Sequence, residues 1–191
     1  YDASYSGFSG DMSVSFWLYA GDIQSNNKTK ILFQQGASER HQISFESDKV
    51  KVRYENAADS DDTANFTSDI AGDDSTWDHY VVHLAVNNLA SGSPRLWKNG
   101  VEITGSGYSA VGGTSPSIDR LYIRQDDSMG FQDIIIWDNL LTQEQVDELY
   151  NSGEWMNPSF HSNYGNIVDW YKYGYEAYWK AHGFIYSSGS L

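Results

Sequence analysis

Apolar and polar residues alternate with a period of two through most of the first three quarters of the chain. That spacing sends successive side chains to opposite faces of a half-buried strand. In residues 13–19 it sets Val14, Phe16 and Leu18 on one face. Residues 30–34 and 42–46 follow as short strands, and residues 49–54 alternate strictly, with Lys49, Lys51 and Arg53 facing water. Ser47-Asp48 joins the last two as a hairpin connection. Residues 56–65, with Asp59, Asp61 and Asp62, have the composition of a polar loop. Two longer apolar strands are expected at 79–86 and 94–97. Asn99-Gly100 is the strongest hairpin signal, because both residues tolerate the positive φ of a type I′ turn, and residues 101–104 return as the partner strand. A Gly/Ser-rich loop over 105–117 precedes a strand at 120–124. Residues 131–137 (FQDIIIW) are apolar on both faces, as expected of a central buried strand. About nine or ten strands at this spacing predict an all-β antiparallel sandwich.

One helix interrupts the strands. Thr142-Gln143-Glu144-Gln145 is a capping box, in which the Thr142 hydroxyl caps the Gln145 amide and Gln145 reaches back. Val146, Leu149 and Tyr150 supply an apolar face, and Gly153 suits the position after the C-cap, so a helix of about ten residues is expected. From Glu154 onward the composition shifts: 11 of the chain's 29 aromatic residues crowd into the last 38 positions. Within them, residues 167–171 read as one more strand and residues 174–182 as a short helix.

Composition narrows the function. The 191 residues carry 12 Lys+Arg against 26 Asp+Glu, a net charge of −14, with no cysteine. A disulfide framework, thiol catalysis and a cysteine-ligated zinc site are excluded. The acidity argues against nucleic acid as a partner, since phosphate binding needs a basic face. No apolar run reaches the roughly 18 residues of a membrane span. With no initiator Met and no signal-peptide pattern, the chain is expected to be processed or cut from something longer.

Several segments, taken in order, resemble the laminin-G-like, concanavalin-A-type jelly-roll domain. Residues 10–17 (GDMSVSFW) look like its first long strand, and Ile31-Leu32-Phe33-Gln34-Gln35-Gly36 like its second. Trp77-Asp78-His79 matches its Trp-x-His strand, and Leu96-Trp97-Lys98-Asn99-Gly100 its "LYVDG" hairpin. Residues 131–137 are similar to its late "F-x-G-x-I-D-D-V-R-I-Y" strand, and residues 140–150 to its "ALSxEEIxxLY" helix. The resemblance covers roughly residues 10–153. It implies an antiparallel two-sheet jelly-roll sandwich, with one short helix after the late strand and an aromatic-rich C-terminal extension. The domains expected are a sandwich over residues 1–153 and a C-terminal segment over 154–191. Residues 167–172 and 185–190 resemble the family's opening strand, which is missing from the front of this chain. The segment therefore closes its own sandwich, the preferred reading, or pairs with a neighbour.

The resemblance also directs the search for chemistry. Glycosidases of this superfamily carry Glu-x-Asp-x-x-Glu; the nearest string, Glu46 to Lys51, ends in lysine and reads as a hairpin turn, so no catalytic residues are assigned. His79 and His83 share a strand face about 13 Å apart, too far to ligate one ion; His79 stands at the family's Trp-x-His position and is expected to make a packing hydrogen bond. Calcium, which laminin-G-like domains hold through carboxylates and carbonyls, is the candidate cofactor, with Asp126, Asp127, Asp133 and Asp11 as candidate ligands and the Asp59, Asp61 and Asp62 cluster as another. Tyr171, Tyr173, Tyr175, Tyr178 and Trp179 are candidate ligand-binding aromatics, although such residues also serve interfaces. The expected function is a non-enzymatic, lectin-like binding or adhesion module, extracellular or on a virion surface. Its partners would be a glycan or protein subunits, including copies of itself. The alternatives are a structural or decoration protein of a phage capsid or tail and, less favoured, a glycoside hydrolase.

Overall fold

The computed structural model describes residues 2–8, 11–20, 30–35, 39–46, 49–55, 61–67, 76–84, 94–106, 118–124 and 129–172. They form thirteen strands and one α-helix: β1 (Asp2–Phe8), β2 (Met12–Ala20), β3 (Lys30–Gln35), β4 (Glu39–Glu46), β5 (Lys49–Glu55), β6 (Asp61–Thr67), β7 (Trp77–Leu84), β8 (Arg95–Lys98), β9 (Val101–Ile103), β10 (Gly105–Ser106), β11 (Ile118–Arg124), β12 (Met129–Trp137), α1 (Gln143–Tyr150) and β13 (Ile167–Tyr171). Sheet 1 has the order β1-β11-β3-β4-β5-β6-β10, and sheet 2 the order β13-β12-β2-β7-β8-β9. All pairings are antiparallel.

The alternating residues close the sandwich. Val14, Phe16 and Leu18 of β2 meet Ile43 and Phe45 of β4 and Val50 and Val52 of β5 in one main core. At its centre Phe16 stacks on Tyr80 and meets Phe45 and Phe131 edge-on, with centroids 5.6–5.7 Å apart. The edge-on arrangement sets positive ring edges against negative ring faces.

Two expected loops are partly strand. β6 begins at Asp61, because Ala64 and Phe66 reach the main core and the segment pairs with β5 along its whole length. Gly105 and Ser106 pair with Phe66 and Asn65. A Cβ on Gly105 would lie 2.6 Å from the Phe66 ring, so only glycine allows this approach. β1, which has no apolar alternation, is held by pairing with β11. The Asn99-Gly100 turn has the expected positive φ values of 53° and 79°. The capping box of α1 is present, but the helix is shorter than expected: Asn151, at φ 45°, takes the left-handed C-cap position two residues before Gly153.

β13 pairs with β12 at the edge of sheet 2. Residues 174–182, expected as a helix, and residues 185–190 lie outside the described residues.

Candidate functional site

The two outer faces of the sandwich differ. On sheet 2, Ser13, Ser15, Val81, Trp97, Ile135 and Trp137 point away from the main core and are nonetheless buried. Leu141, Val146 and Leu149, helped by Met156, Ile167 and Trp170, lie over them as a second core. The serines and the tryptophan N–H groups beneath this cap are hydrogen-bonded, some to the cap and some within the sheet. The Ser13 hydroxyl donates to the Asn139 carbonyl at 2.8 Å and accepts from the Leu141 amide at 3.0 Å. The Trp137 indole donates to Ser15 at 3.1 Å, and the Trp97 indole to Gln143 of α1 at 2.8 Å.

A β-bulge in β12 carries the remaining chemistry of this face. Gln132 stands opposite Trp17 and Ile135 opposite Ser15, so two residues oppose Phe16 alone. Asp133 sits in the bulge at φ 49°, an unusual conformation that asparagine and aspartate tolerate best. The bulge turns Asp133 toward the cap while Phe131, Ile134 and Ile136 stay in the main core. There its two carboxylate oxygens accept the indole N–H groups of Trp155, at 2.6 Å, and Trp170, at 2.8 Å. Burial pushes the Asp133 carboxyl above the usual range, and hydrogen bonds from Trp170, Trp155 and Gln132 and the Lys172 charge pull against it.

Asp133, expected as a calcium ligand, thus has each carboxylate oxygen hydrogen-bonded to an indole. Asp11 lies just before β2, and Asp126, Asp127 and Asp59 lie outside the described residues; Asp61 and Asp62 open β6. Among the described residues no three His, Asp or Glu side chains gather as metal ligands. Tyr171 is not an exposed platform: it is buried in the main core, its hydroxyl donating to Asp169. Tyr173, Tyr175, Tyr178 and Trp179 lie outside the described residues. The packing hydrogen bond expected of His79 is replaced by ring contact with Trp17 and Tyr150, and its Nδ1 has no partner; its backbone amide instead donates to Asn99 at 2.8 Å.

Sheet 1 presents a groove of about 200 Å³ lined by Gln42, Ser44 and Glu46 of β4, Lys51 and Arg53 of β5 and Thr63 of β6. The register explains the grouping. Gln42 stands across from Arg53 and Arg53 across from Thr63, while Ser44 faces Lys51, so every second residue of three adjacent strands meets in one polar patch. Glu46 ends β4 just before the Ser47-Asp48 connection, as the sequence suggested, and its carboxylate pairs with Lys51 at 2.6 Å. The lining offers hydroxyl, amide, carboxylate and cationic groups but no aromatic ring. It suits a ligand with many hydrogen-bonding groups.

Comparison with known proteins gives structural neighbours only. No family model and no curated protein sequence matches the chain. Among solved structures, the receptor-binding domain of botulinum neurotoxin D aligns with a TM-score of 0.60 at 15% identity, covering 78% of this chain and 39% of that one. An F1240A mutant of the HCR/D domain aligns with a TM-score of 0.62 at 14% identity, covering 80% and 39%. A type C neurotoxin structure, of a protein whose cell entry depends upon interaction with two ganglioside molecules, aligns at 0.56 and 20% identity, covering 78% and 37%. What is shared is the fold. The chain spans about two fifths of the length of the structures it matches. This chain shares the antiparallel β-sandwich architecture of those receptor-binding domains. Among the described residues no helix is long and apolar enough to cross a membrane.

Proposed function

We propose that the chain is a non-enzymatic, lectin-like binding module whose ligand, a glycan, lies in the groove formed by Gln42, Ser44, Glu46, Lys51, Arg53 and Thr63. The observation that carries this reading is the contrast between the outer faces. Sheet 2 is sealed by a cap, whereas sheet 1 gathers uncapped donors and acceptors along a groove. Saccharide hydroxyls are both donors and acceptors, and such a lining can satisfy them. The order of sequence motifs supports a laminin-G-like jelly roll, and the ganglioside dependence of the type C neurotoxin supports an extracellular setting by analogy of fold. Glycosidase chemistry fits poorly, because among the described residues Glu46 is the one carboxylate lining the groove and acid hydrolysis of this type uses two.

A second reading, a structural subunit of a larger assembly such as a phage capsid or tail, is favoured by Trp155 and Phe160. They are 49% and 79% exposed on the capped side, where protein contacts would bury them.

A glycan-array screen with and without EDTA tests the primary reading, with Arg53→Ala as the groove variant. Glycan binding by the wild type that drops at least tenfold in the variant supports it, and EDTA sensitivity would add calcium. An array that stays silent while light scattering shows a stable oligomer favours the assembly role. Hydrolysis of any arrayed polysaccharide overturns both.

A further inference from the structure

Three of the five histidines stand in the seam between sheet 2 and its cap, each against a tryptophan. The His79 ring lies 5.1 Å from Trp17 and 6.4 Å from Tyr150 of α1. His83 lies 4.3 Å from Trp97 and hydrogen-bonds to the backbone of Leu141. His161 lies 4.7 Å from Trp137, its Nε2 is 3.0 Å from the Gln145 carbonyl, and its Nδ1 accepts from the Asn163 amide. Each imidazole thus joins a sheet tryptophan to the cap.

Nδ1 of His79 and Nε2 of His83 are buried without a hydrogen-bond partner. A neutral imidazole can leave such a nitrogen as a bare lone pair. An imidazolium carries N–H on both nitrogens, so protonation here would create buried donors with nothing to accept them.

The surrounding charges do not rescue those donors. Beside His79 on β7, Asp78 is bound to Lys98 at 3.0 Å and to Asn99 at 2.6 Å. On α1, Asp147 accepts from Gln143 at 2.7 Å, and Tyr150 presents its ring; β2 presents Trp17. Beside His83, Arg95 of β8 repels an imidazolium, while Glu102 of β9 attracts it but is gripped by Arg95 through two bonds of 2.6 and 2.5 Å. Only His161 has a carboxylate close by, Glu148 at 3.5 Å, and it meets β12 through Trp137.

We propose that the seam is an acid-operated latch, in which protonation of His79 and His83 releases α1 and the turns after it from sheet 2 while the main core stays folded. Burial supports the sense of the effect, holding His79 down at about 3 and His83 at about 4. Above the ordinary histidine value of 6.5 the cap loses nothing. As pH falls from there toward 4, the open form binds protons that the closed form refuses, and closure weakens. Stacking of a cation on tryptophan offsets part of this loss. The main core has one comparable group, His41 beside Tyr54, held at about 4. One such group weakens sheet 1 less than two weaken the seam, and local opening of a small cap costs less than global unfolding.

Hydrogen exchange read by mass spectrometry on the whole chain at pH 7.5, 5.0 and 4.0, corrected for intrinsic rates, tests the latch. The α1 amides should lose at least tenfold protection between pH 7.5 and 4.0, while β2 and β7 amides keep theirs. The double variant His79→Gln/His83→Gln should show the same α1 protection at all three pH values, whatever its absolute level. The single variant His79→Phe, which keeps a flat ring between Trp17 and Tyr150, should show a smaller pH dependence than wild type. Loss of α1 and β7 protection together, α1 protection unchanged at pH 4.0, or wild-type pH dependence in the variants that fold would overturn the proposal.

Discussion

The outer faces of the two sheets start from similar materials and reach opposite ends. Along β2 the outward residues are Ser13, Ser15 and Trp17, and along β5 they are Lys49, Lys51 and Arg53. The serines are short and are fully buried because the cap brings Ser13 an amide and a carbonyl and the neighbouring strand brings Ser15 an indole. Lysine and arginine carry charges that cost several kcal/mol to remove from water, so no apolar layer can settle on them. Side-chain length and charge on one strand face therefore decide whether that face becomes a second core or stays open to a ligand. Trp97 and Trp137 tip sheet 2 further toward burial, each using its indole N–H as the polar connection to the layer above or beside it.

The sharpest way to break this comparison is to empty the second core. Trp137→Ala removes a side chain with no exposure and the ring that His161 rests on, and should cost about 3–5 kcal/mol in urea unfolding. A loss near zero would mean that the cap adds nothing to stability and that the two faces are equivalent. Asp133→Asn keeps the shape but strands one of two indole donors, and should cost about 1–3 kcal/mol at pH 7. The raised carboxyl sharpens this by pH: a folded-state value above the unfolded one makes stability fall as pH rises out of the ordinary aspartate range. The deficit of the variant should accordingly be larger at pH 4 than at pH 7, measured as the difference in denaturation midpoint.

How the faces differ is only partly legible along the chain. The strands that feed the main core announce themselves, because Val14, Phe16 and Leu18 or Val50 and Val52 repeat at a strict period of two. β6 hides because its core contribution is Ala64 and Phe66, two residues behind a pair of aspartates, and its place is set by β5. The groove is half visible: alternation marks Lys51 and Arg53 as water-facing, but Thr63 joins them through lateral strand order, which no local pattern encodes. Ser13 and Ser15 look like a wet face and are buried, because what covers them arrives about 125 residues later. Asp133 stands out as an acid in an apolar run, but the two indoles that its carboxylate binds come from residues 155 and 170, which no local pattern ties to it.

Smaller changes refine the comparison. Thr142→Ala removes one half of the capping box and should cost about 1 kcal/mol, and the loss should appear in α1 before it appears in sheet 1 by hydrogen exchange. On the open face, Lys51→Ala should change stability by less than about 1 kcal/mol, because its pairing with Glu46 is partly exposed, while any ligand affinity falls. A stability loss as large as that of Trp137→Ala would show that the groove is structural.

The bulge at Asp133 has a further consequence for how this strand tolerates change. It resets the alternation of β12 midway, so that Phe131 and then Ile134 and Ile136 serve one core while Ile135 and Trp137 serve the other. The strand is in effect two reading phases joined by one extra residue. Removing Asp133 would restore a plain alternation and leave Ile134, Ile135, Ile136 and Trp137 facing as they do, whereas straightening the strand at its present length would exchange the contents of the two cores, sending Trp137 inward and Ile136 outward. The extra residue is thus the one position of the strand that can be lost without rewriting those that follow, and the bulge is what keeps it from rewriting them while it is there.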